Sequence, residues 1–407
     1  MARRSILVVI GPGLLVAATG IGAGDLVTGA FSGNLLGVAV LWAVVLGAGF
    51  KFVLTEGLAR WQLVTGETVL EGALRRLGRP ARWLFVLYLL PWTFFVGSAL
   101  MGACGVTANA IAPIFENQER AKLVLGVAHS ALGLGLVLLG GFRLFERVMG
   151  ACIALMFATV VTTAALLRPD VAALLRGLFT PVVPDAGGEG IGWTVALIGG
   201  VGGTLTILCY GYWIREQGRF GVESIRTCRI DLAVGYGLTA LFGIGMVVLG
   251  SSIQVEDLGA GLIVAIAARL DEVLGPVARW SFLIGAWCAV FSSLLGVWQA
   301  VPYVFADFWR LAAGGESPAV DTAARPYRLY LYGLASVPAL GLAFDFRSIQ
   351  KIYAVVGACF LPVLALTLLL LNRRGAWTGA HHDRPATRLV LVGILAFFVL
   401  AGWLKLR

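Results

Sequence analysis

Long apolar runs dominate this chain, separated by short polar stretches that carry most of its arginines. Most runs reach or exceed the roughly 20 residues a helix needs to cross a bilayer. The pattern predicts eleven spans, at 6–33, 35–59, 83–110, 121–140, 143–167, 191–213, 229–251, 276–309, 328–343, 347–371 and 387–404. Two of them, the first and the sixth, are interrupted. GPGLLVAATGIGAGDLVTG (Gly11–Gly29) and GWTVALIGGVGGTLTILCYG (Gly192–Gly211) each place a glycine cluster where a membrane helix should be continuous. Open backbone in hydrocarbon leaves polar groups unpaired, so it persists only inside protein or along a cavity. Two such breaks at matching places in the two halves point to a secondary transporter with its binding site between them.

The expected fold is an all-α membrane protein with one transmembrane domain over 1–407. Residues 6–167 and 191–371 form two five-helix units, and 387–404 is an additional helix. Five is odd, so the second unit enters the membrane from the opposite side. That inversion brings the two breaks face to face near the midplane. Between spans, Arg168–Gly190 reads as a loop, with Pro169, Pro181, Pro184 and Gly187–Gly188. VEDLGAGLIVAIAARLDEVLG, within 254–276, reads as a short helix on the outer surface. Thr65–Gly78 reads as an amphipathic extension of the second helix, with a Leu70, Leu74, Leu77 stripe and Glu67 and Glu71 on another face.

Charge fixes the expected orientation. Segments 1–5, 75–82, 141–147, 214–229, 310–328 and 373–388 hold 19 of the 31 Lys and Arg residues, against 10 in the alternate segments. By the positive-inside bias the former are cytoplasmic. The protein is therefore expected in the inner or plasma membrane, N-terminus in and C-terminus out. The net charge of +9 follows this topology and does not mark a nucleic-acid surface. A chain 59% hydrophobic and 13% charged is neither disordered nor an ordinary soluble enzyme. The basic start Met1–Arg4 precedes no small-residue cleavage site, so the first run is read as a span. The six cysteines form no C-x-x-C pair and read as packing residues.

Asp25 is the leading candidate for chemistry. It is an ionisable residue beside the first break, where a charge costs roughly 2.5–3.5 kcal/mol by insertion scales and usually faces a pathway. It binds a cation there, or it caps the second half-helix through the N–H of Val27 or Thr28. One carboxylate suffices for a hard ion that keeps its waters, such as Mg²⁺. Gly22 and Gly203 offer backbone carbonyls and Thr206 a hydroxyl. Cys209 and Gln299 are weaker candidates. The same glycines also suit an amino acid or other small organic solute, its carboxylate on half-helix N-termini and its walls formed by Tyr210, Tyr212 and Trp213. Lys51 and Glu56 are also intramembrane, five apart, with Lys51 free to snorkel or to neutralise a carboxylate. His129 reads as a neutral, hydrogen-bonded core residue. No hydrolase triad, H-E-x-x-H site or phosphate-binding loop occurs, so neither an enzyme nor ATP drive is expected.

The residues also carry a resemblance. GPGLLVAATG, VAVLWAVVLG and KFVLTEGLARWQLVTGETVLEG, between Gly11 and Gly72, resemble the first two helices of the Nramp family of divalent-metal transporters. FSSLLGVWQAVPYVFADFW (Phe291–Trp309) is similar to its eighth helix and FLPVLALTLLLLNR (Phe360–Arg373) to the end of its tenth. The resemblance implies a LeuT-like 5+5 inverted repeat with discontinuous helices 1 and 6, and it places Gln350 at the family's tenth-helix glutamine. It also exposes departures. Where the family has Asp-Pro-Gly-Asn, this chain has Gly22, Ala23, Gly24 and Asp25; where it has Met-Pro-His, this chain has Thr206, Ile207 and Leu208. The family's third helix carries acidic residues linked to proton transfer, and Trp83–Ala112 has none.

The expectation is therefore a transporter of a hard divalent cation, Mg²⁺-like with Mn²⁺ also accepted, working by alternating access with weak or absent proton coupling. Asp25, Gly22 and Thr206 would be the metal ligands, with Gly203 and Gln350 beside them. The alternative is an organic solute at the same breaks. No cofactor is expected beyond the cation as substrate. The partners expected are the bilayer and that substrate, with neither nucleic acid nor an obligate protein partner.

Overall fold

The computed structural model describes residues 22–253, 259–314, 321–372 and 375–406, the side chains of 140–150 and a few others along the chain excepted. The described residues contain helices and turns and no strand. Gly11–Ile21, the lead-in to the first break, lies outside them.

A π-helical turn, Ala23–Thr28, runs into α1 (Gly29–Leu36). Gly37, at φ 65°, ends it, and a short 3-10 turn passes the chain to α2 (Leu41–Thr65). A positive φ there is open to glycine at little steric cost. Gly66, in the left-handed conformation, ends α2. A capping box of Thr68 and Glu71 then starts α3 (Val69–Arg76). Thr65–Gly78 is thus a separate short helix and not an extension of the second span.

Next come α4 (Arg79–Ile111), α5 (Gln118–Leu166) and α6 (Val171–Phe179), the last inside the stretch read as a loop. Asp170 caps α6 by accepting the Ala172 N–H. α5 cannot be straight. At about 1.5 Å per residue, His129 and Thr159 would lie about 45 Å apart. Yet His129 bonds the Trp287 indole at 3.0 Å, and Thr159 packs against Gly285, two residues away. The chain therefore turns back between them; Gln118–Leu139 is long and apolar enough to cross a membrane, and Phe157–Leu166 is a shorter apolar helix.

The second half follows as α7 (Gly190–Gly200), α8 (Cys209–Glu216), α9 (Ile225–Ser251), α10 (Leu262–Leu274), α11 (Pro276–Ala312), α12 (Arg325–Ser336), α13 (Phe346–Ala358), α14 (Phe360–Asn372) and α15 (Pro385–Leu406). Among the described residues, eight helical stretches are long and apolar enough to cross a membrane. α10 is the short helix expected near 262–274. Its apolar face, Leu262, Ile263, Ile266 and Leu270, is buried against the bundle, while Ala268, Arg269 and Glu272 are exposed. α15 is mostly exposed and touches the bundle through contacts such as Phe397 on Phe50.

Segments expected on the same side meet at the same end. At one end Trp42 donates to the Val182 carbonyl, Lys122 to Phe344 and Lys405 to Gly188. At the other, arginine-rich end, Arg60 donates to the His381 carbonyl, Arg76 stacks on Trp61 and Trp377, and Arg310 pairs with Glu71. Small residues allow close packing between these ends, as is usual in membranes. A Cβ at Gly33 would lie 2.1 Å from the Val247 carbonyl oxygen, and one at Gly250 would lie 2.1 Å from that of Ala30, so α1 and α9 touch backbone to backbone.

Two broken helices and a candidate binding site

The second break is built by two glycines. α7 ends at Val201, which is extended, and Gly202 and Gly203 both have φ 78°. Such a pair is costly for any other residue. Thr204 follows, then a 3-10 turn, Leu205–Leu208, and α8. The described start of the first span, from Gly22, meets the second break directly. A Cβ on Gly24 would stand 2.7 Å from the Gly200 carbonyl oxygen and 3.0 Å from the Tyr353 hydroxyl. Gly22 faces Ser293 of α11 so closely that a Cβ would overlap its hydroxyl. The Gly22 carbonyl also accepts the Leu26 N–H at 2.8 Å, starting the helical ladder.

Asp25 is fully buried. Its Oδ2 accepts the Gly202 N–H at 3.0 Å, and its Oδ1 has no hydrogen-bond partner. It does not cap its own half-helix through Val27 or Thr28. Its side chain reaches across to the other broken helix instead.

Lys51 of α2 is likewise fully buried, so it does not snorkel. Its ammonium donates to the Gly199 carbonyl at 2.8 Å and to the Val201 carbonyl. These carbonyls belong to the C-terminal end of α7, where the helix dipole favours a cation. The Val201 C=O and the Gly202 N–H form one peptide group. Lys51 donates to its oxygen and Asp25 accepts from its N–H.

Beside this junction is an enclosed space of about 10 Å³, lined by Trp92, Val96, Leu100, Gly203, Thr204, Thr206, Ser293, Val297 and Tyr353. That is room for about one water. The Trp92 indole fixes the Thr204 hydroxyl at 2.8 Å. Of the expected site residues, Gly203 and Thr206 line this space, Gly22 abuts Ser293 at its edge, and Asp25 is outside the lining, its Oδ1 3.8 Å from where a Cβ on Gly243 of α9 would stand. Gln350 is one turn from Tyr353 on α13, but its amide donates to the Ala99 carbonyl at 2.8 Å, bridging α13 to α4, and its oxygen is left without a partner. Cys209 and Gln299 lie elsewhere. They line a cavity of about 420 Å³ toward the arginine-rich end, with Tyr212, Trp213, Glu216, Tyr303 and Arg328.

Several other polar residues in the spans have local partners. Glu56 pairs with Arg60 and Arg229, not with Lys51. His129 accepts from Trp287 at Nε2 and meets the Leu125 carbonyl at Nδ1, an arrangement that requires the neutral imidazole. Tyr210 and Tyr212 donate to Asp231 and Asp307. The role of Lys51 was not legible from spacing, because its partners are backbone carbonyls 148 and 150 positions away. Among the described residues, no three His, Cys, Asp or Glu side chains gather as a metal cage.

The paired breaks and the helical layout define a multi-pass membrane protein with a transporter fold of the LeuT type. A family model described as natural resistance-associated macrophage protein-like (Nramp) matches residues 13–406, and the chain belongs to that family. A divalent metal cation transporter, MntH, of Aeromonas hydrophila is 22% identical over 98% of this chain and 97% of its own. A mutant of the Eremococcus coleocola manganese transporter superposes with a TM-score of 0.72 at 16% identity, covering 97% of this chain and 85% of that one. MhsT in complex with L-phenylalanine gives a TM-score of 0.60 at 16% identity over 96% of both chains. These structural likenesses show the fold.

Proposed function

We propose that the chain is a secondary transporter of a hard divalent cation, with Mg²⁺ and Mn²⁺ as substrates, bound between the two breaks and moved by alternating access. The donor set at the junction supports this most. The enclosed space is lined by Gly203, Thr206, Ser293 and Tyr353, whose donors are oxygen, and the Asp25 carboxylate stands at the Gly202 N–H next to it. The one sulfur considered, Cys209, faces a different cavity. Oxygen donors with a single carboxylate suit an ion that keeps part of its water, and they give no thioether or imidazole advantage to a softer metal. The names of relatives such as the Aeromonas protein agree with a metal substrate.

In this proposal, 6–167 and 191–371 are the two inverted units, 387–404 is an added helix, and the arginine-rich end is cytoplasmic, with the N-terminus inside and the C-terminus outside. Proton coupling is weak, because Trp83–Ala112 carries no carboxylate and His129 is held neutral by its two bonds. The test is flux into proteoliposomes containing purified protein. Mn²⁺ enters, a tenfold excess of Mg²⁺ suppresses that flux by more than half, and a panel of amino acids does neither. Amino-acid flux without metal flux would overturn the reading.

A further inference from the structure

We infer that Lys51 is a built-in monovalent cation, tethered at the junction of the two breaks, that lowers the site's affinity for a dication and so sets its preference for a loosely held, hydrated ion. The inference rests on the function proposed above. Its own basis is geometric. The ammonium sits on the carbonyl end of α7, bonded to Gly199 and Val201 with no exposure to solvent. A bound metal ion would seek the same oxygen-rich, dipole-negative position. Across the Val201–Gly202 peptide is Asp25, with one oxygen on the Gly202 N–H and the other buried and unpartnered.

The consequence is a matter of charge. Asp25 alone would present a dication with a buried site of charge −1. With Lys51 across one peptide group, the pair sums to zero. A metal that strips its water to bind inner-sphere needs strong compensation from ligand charge, and this site supplies little. A hydrated Mg²⁺ depends on it less, since its own waters carry much of the coordination. Lys51 therefore acts through Asp25 and the break and need not touch the ion.

The experiment is divalent-ion titration by calorimetry on purified full-length protein with four variants. Lys51→Met removes charge and donor; Lys51→Gln removes the charge and keeps an N–H for the Gly199 and Val201 carbonyls. Lys51→Arg keeps the charge. Lys51→Gln combined with Asp25→Asn removes both charges. The expected result is tenfold or greater tightening of Mn²⁺ in Lys51→Gln and Lys51→Met, with less gain for Mg²⁺. Lys51→Arg keeps the wild-type affinity, and the double variant loses the gain. A structural strut would not give a gain that depends on Asp25. Wild-type binding with no gain in folded neutral variants overturns this inference and leaves the proposed function standing. So does failure of both neutral variants to fold while Lys51→Arg folds. Binding that appears only once Lys51 is neutralised supports the tethered cation and overturns the proposed function. No binding in any protein overturns both.

Discussion

Lys51 and Asp25 hold the two sides of one peptide group. The ammonium takes the Val201 carbonyl and the carboxylate takes the Gly202 N–H, at the point where the sixth span is broken. The break is therefore a fixed structure. Its freed backbone groups are satisfied by side chains from α2 and from the first break, which is the condition for open backbone at membrane depth.

Replacing Asp25 separates its charge from its hydrogen bond. Asp25→Asn keeps an acceptor for the Gly202 N–H but leaves Lys51 buried without compensation. Divalent-ion affinity falls at least tenfold by calorimetry. Stability falls by up to about 3–5 kcal/mol, the cost of isolating one member of a buried pair. Adding Lys51→Gln recovers part of that loss in thermal unfolding. Full affinity in Asp25→Asn would remove the carboxylate from the site.

Backbone contact between the breaks makes Gly24 sensitive to a single methyl. Gly24→Ala places a Cβ 2.7 Å from the Gly200 oxygen, and such overpacking costs about 1–3 kcal/mol. Gly202→Ala, at φ 78°, costs about 1–2 kcal/mol through the left-handed backbone. Gly49→Ala, where a Cβ meets nothing within 4 Å, is the silent control. Flux and melting temperature of the three, measured together, check the ordering.

Glu71 ties three elements together at the arginine-rich end. It accepts the Thr68 N–H at 2.8 Å to start α3 and pairs with Arg310 of α11 and Arg215 of α8. Glu71→Ala should cost about 1–2 kcal/mol through the lost cap alone. Glu67→Ala, whose partners Arg75 and Arg76 are more exposed, should cost less than about 1 kcal/mol. Thermal unfolding of the two variants gives the comparison, and equal effects would contradict it.

At the opposite end, Glu189 links α7 to α13. The Trp193 indole N–H holds its carboxyl below the ordinary glutamate range, with Lys351 and Arg347 adding to the effect. The sign follows from the lowered value. The stabilisation is present above the unfolded glutamate pKa of about 4.3 and is lost as pH falls through the folded value. Melting curves between neutral pH and about pH 3 should show an acid-side loss that is smaller in Glu189→Gln. An identical pH profile in both proteins would refute the link.

Proton coupling gives a prediction from a different property of the chain. In proteoliposomes a substrate gradient moves few protons, and an imposed pH gradient does not accumulate substrate. Accumulation against the substrate's own gradient, driven by pH, would contradict the account. A pH effect on rate alone would not.

The all-helical membrane fold and the break at Gly202–Gly203 were readable in the sequence, because apolar length and glycine clusters are local signals. Asp25 was readable for the same reason, as a carboxylate inside an apolar run. Its partner was not. Nothing near Asp25 in the chain specifies that its oxygen crosses to Gly202, or that Lys51 arrives from α2 to hold the adjoining carbonyl. Gln350 shows the converse. Its position on α13 places it near the junction, but its amide is drawn to the Ala99 carbonyl of α4. Cys209 follows the break closely in sequence, yet the 3-10 turn over Leu205–Leu208 comes between, and the sulfur faces the larger cavity.

The central claim is that a hard divalent ion binds at Asp25 between the two breaks. Crystals of the purified protein soaked in Mn²⁺, with data collected for the anomalous signal of manganese, test it most directly. The account predicts one peak at the junction, within coordination or water-bridged reach of Asp25 and Thr206. That peak weakens when Mg²⁺ is added in excess and is absent in Asp25→Asn. A peak that persists in Asp25→Asn, or one that Mg²⁺ cannot displace, or none at the breaks while Mn²⁺ binds elsewhere, would contradict it.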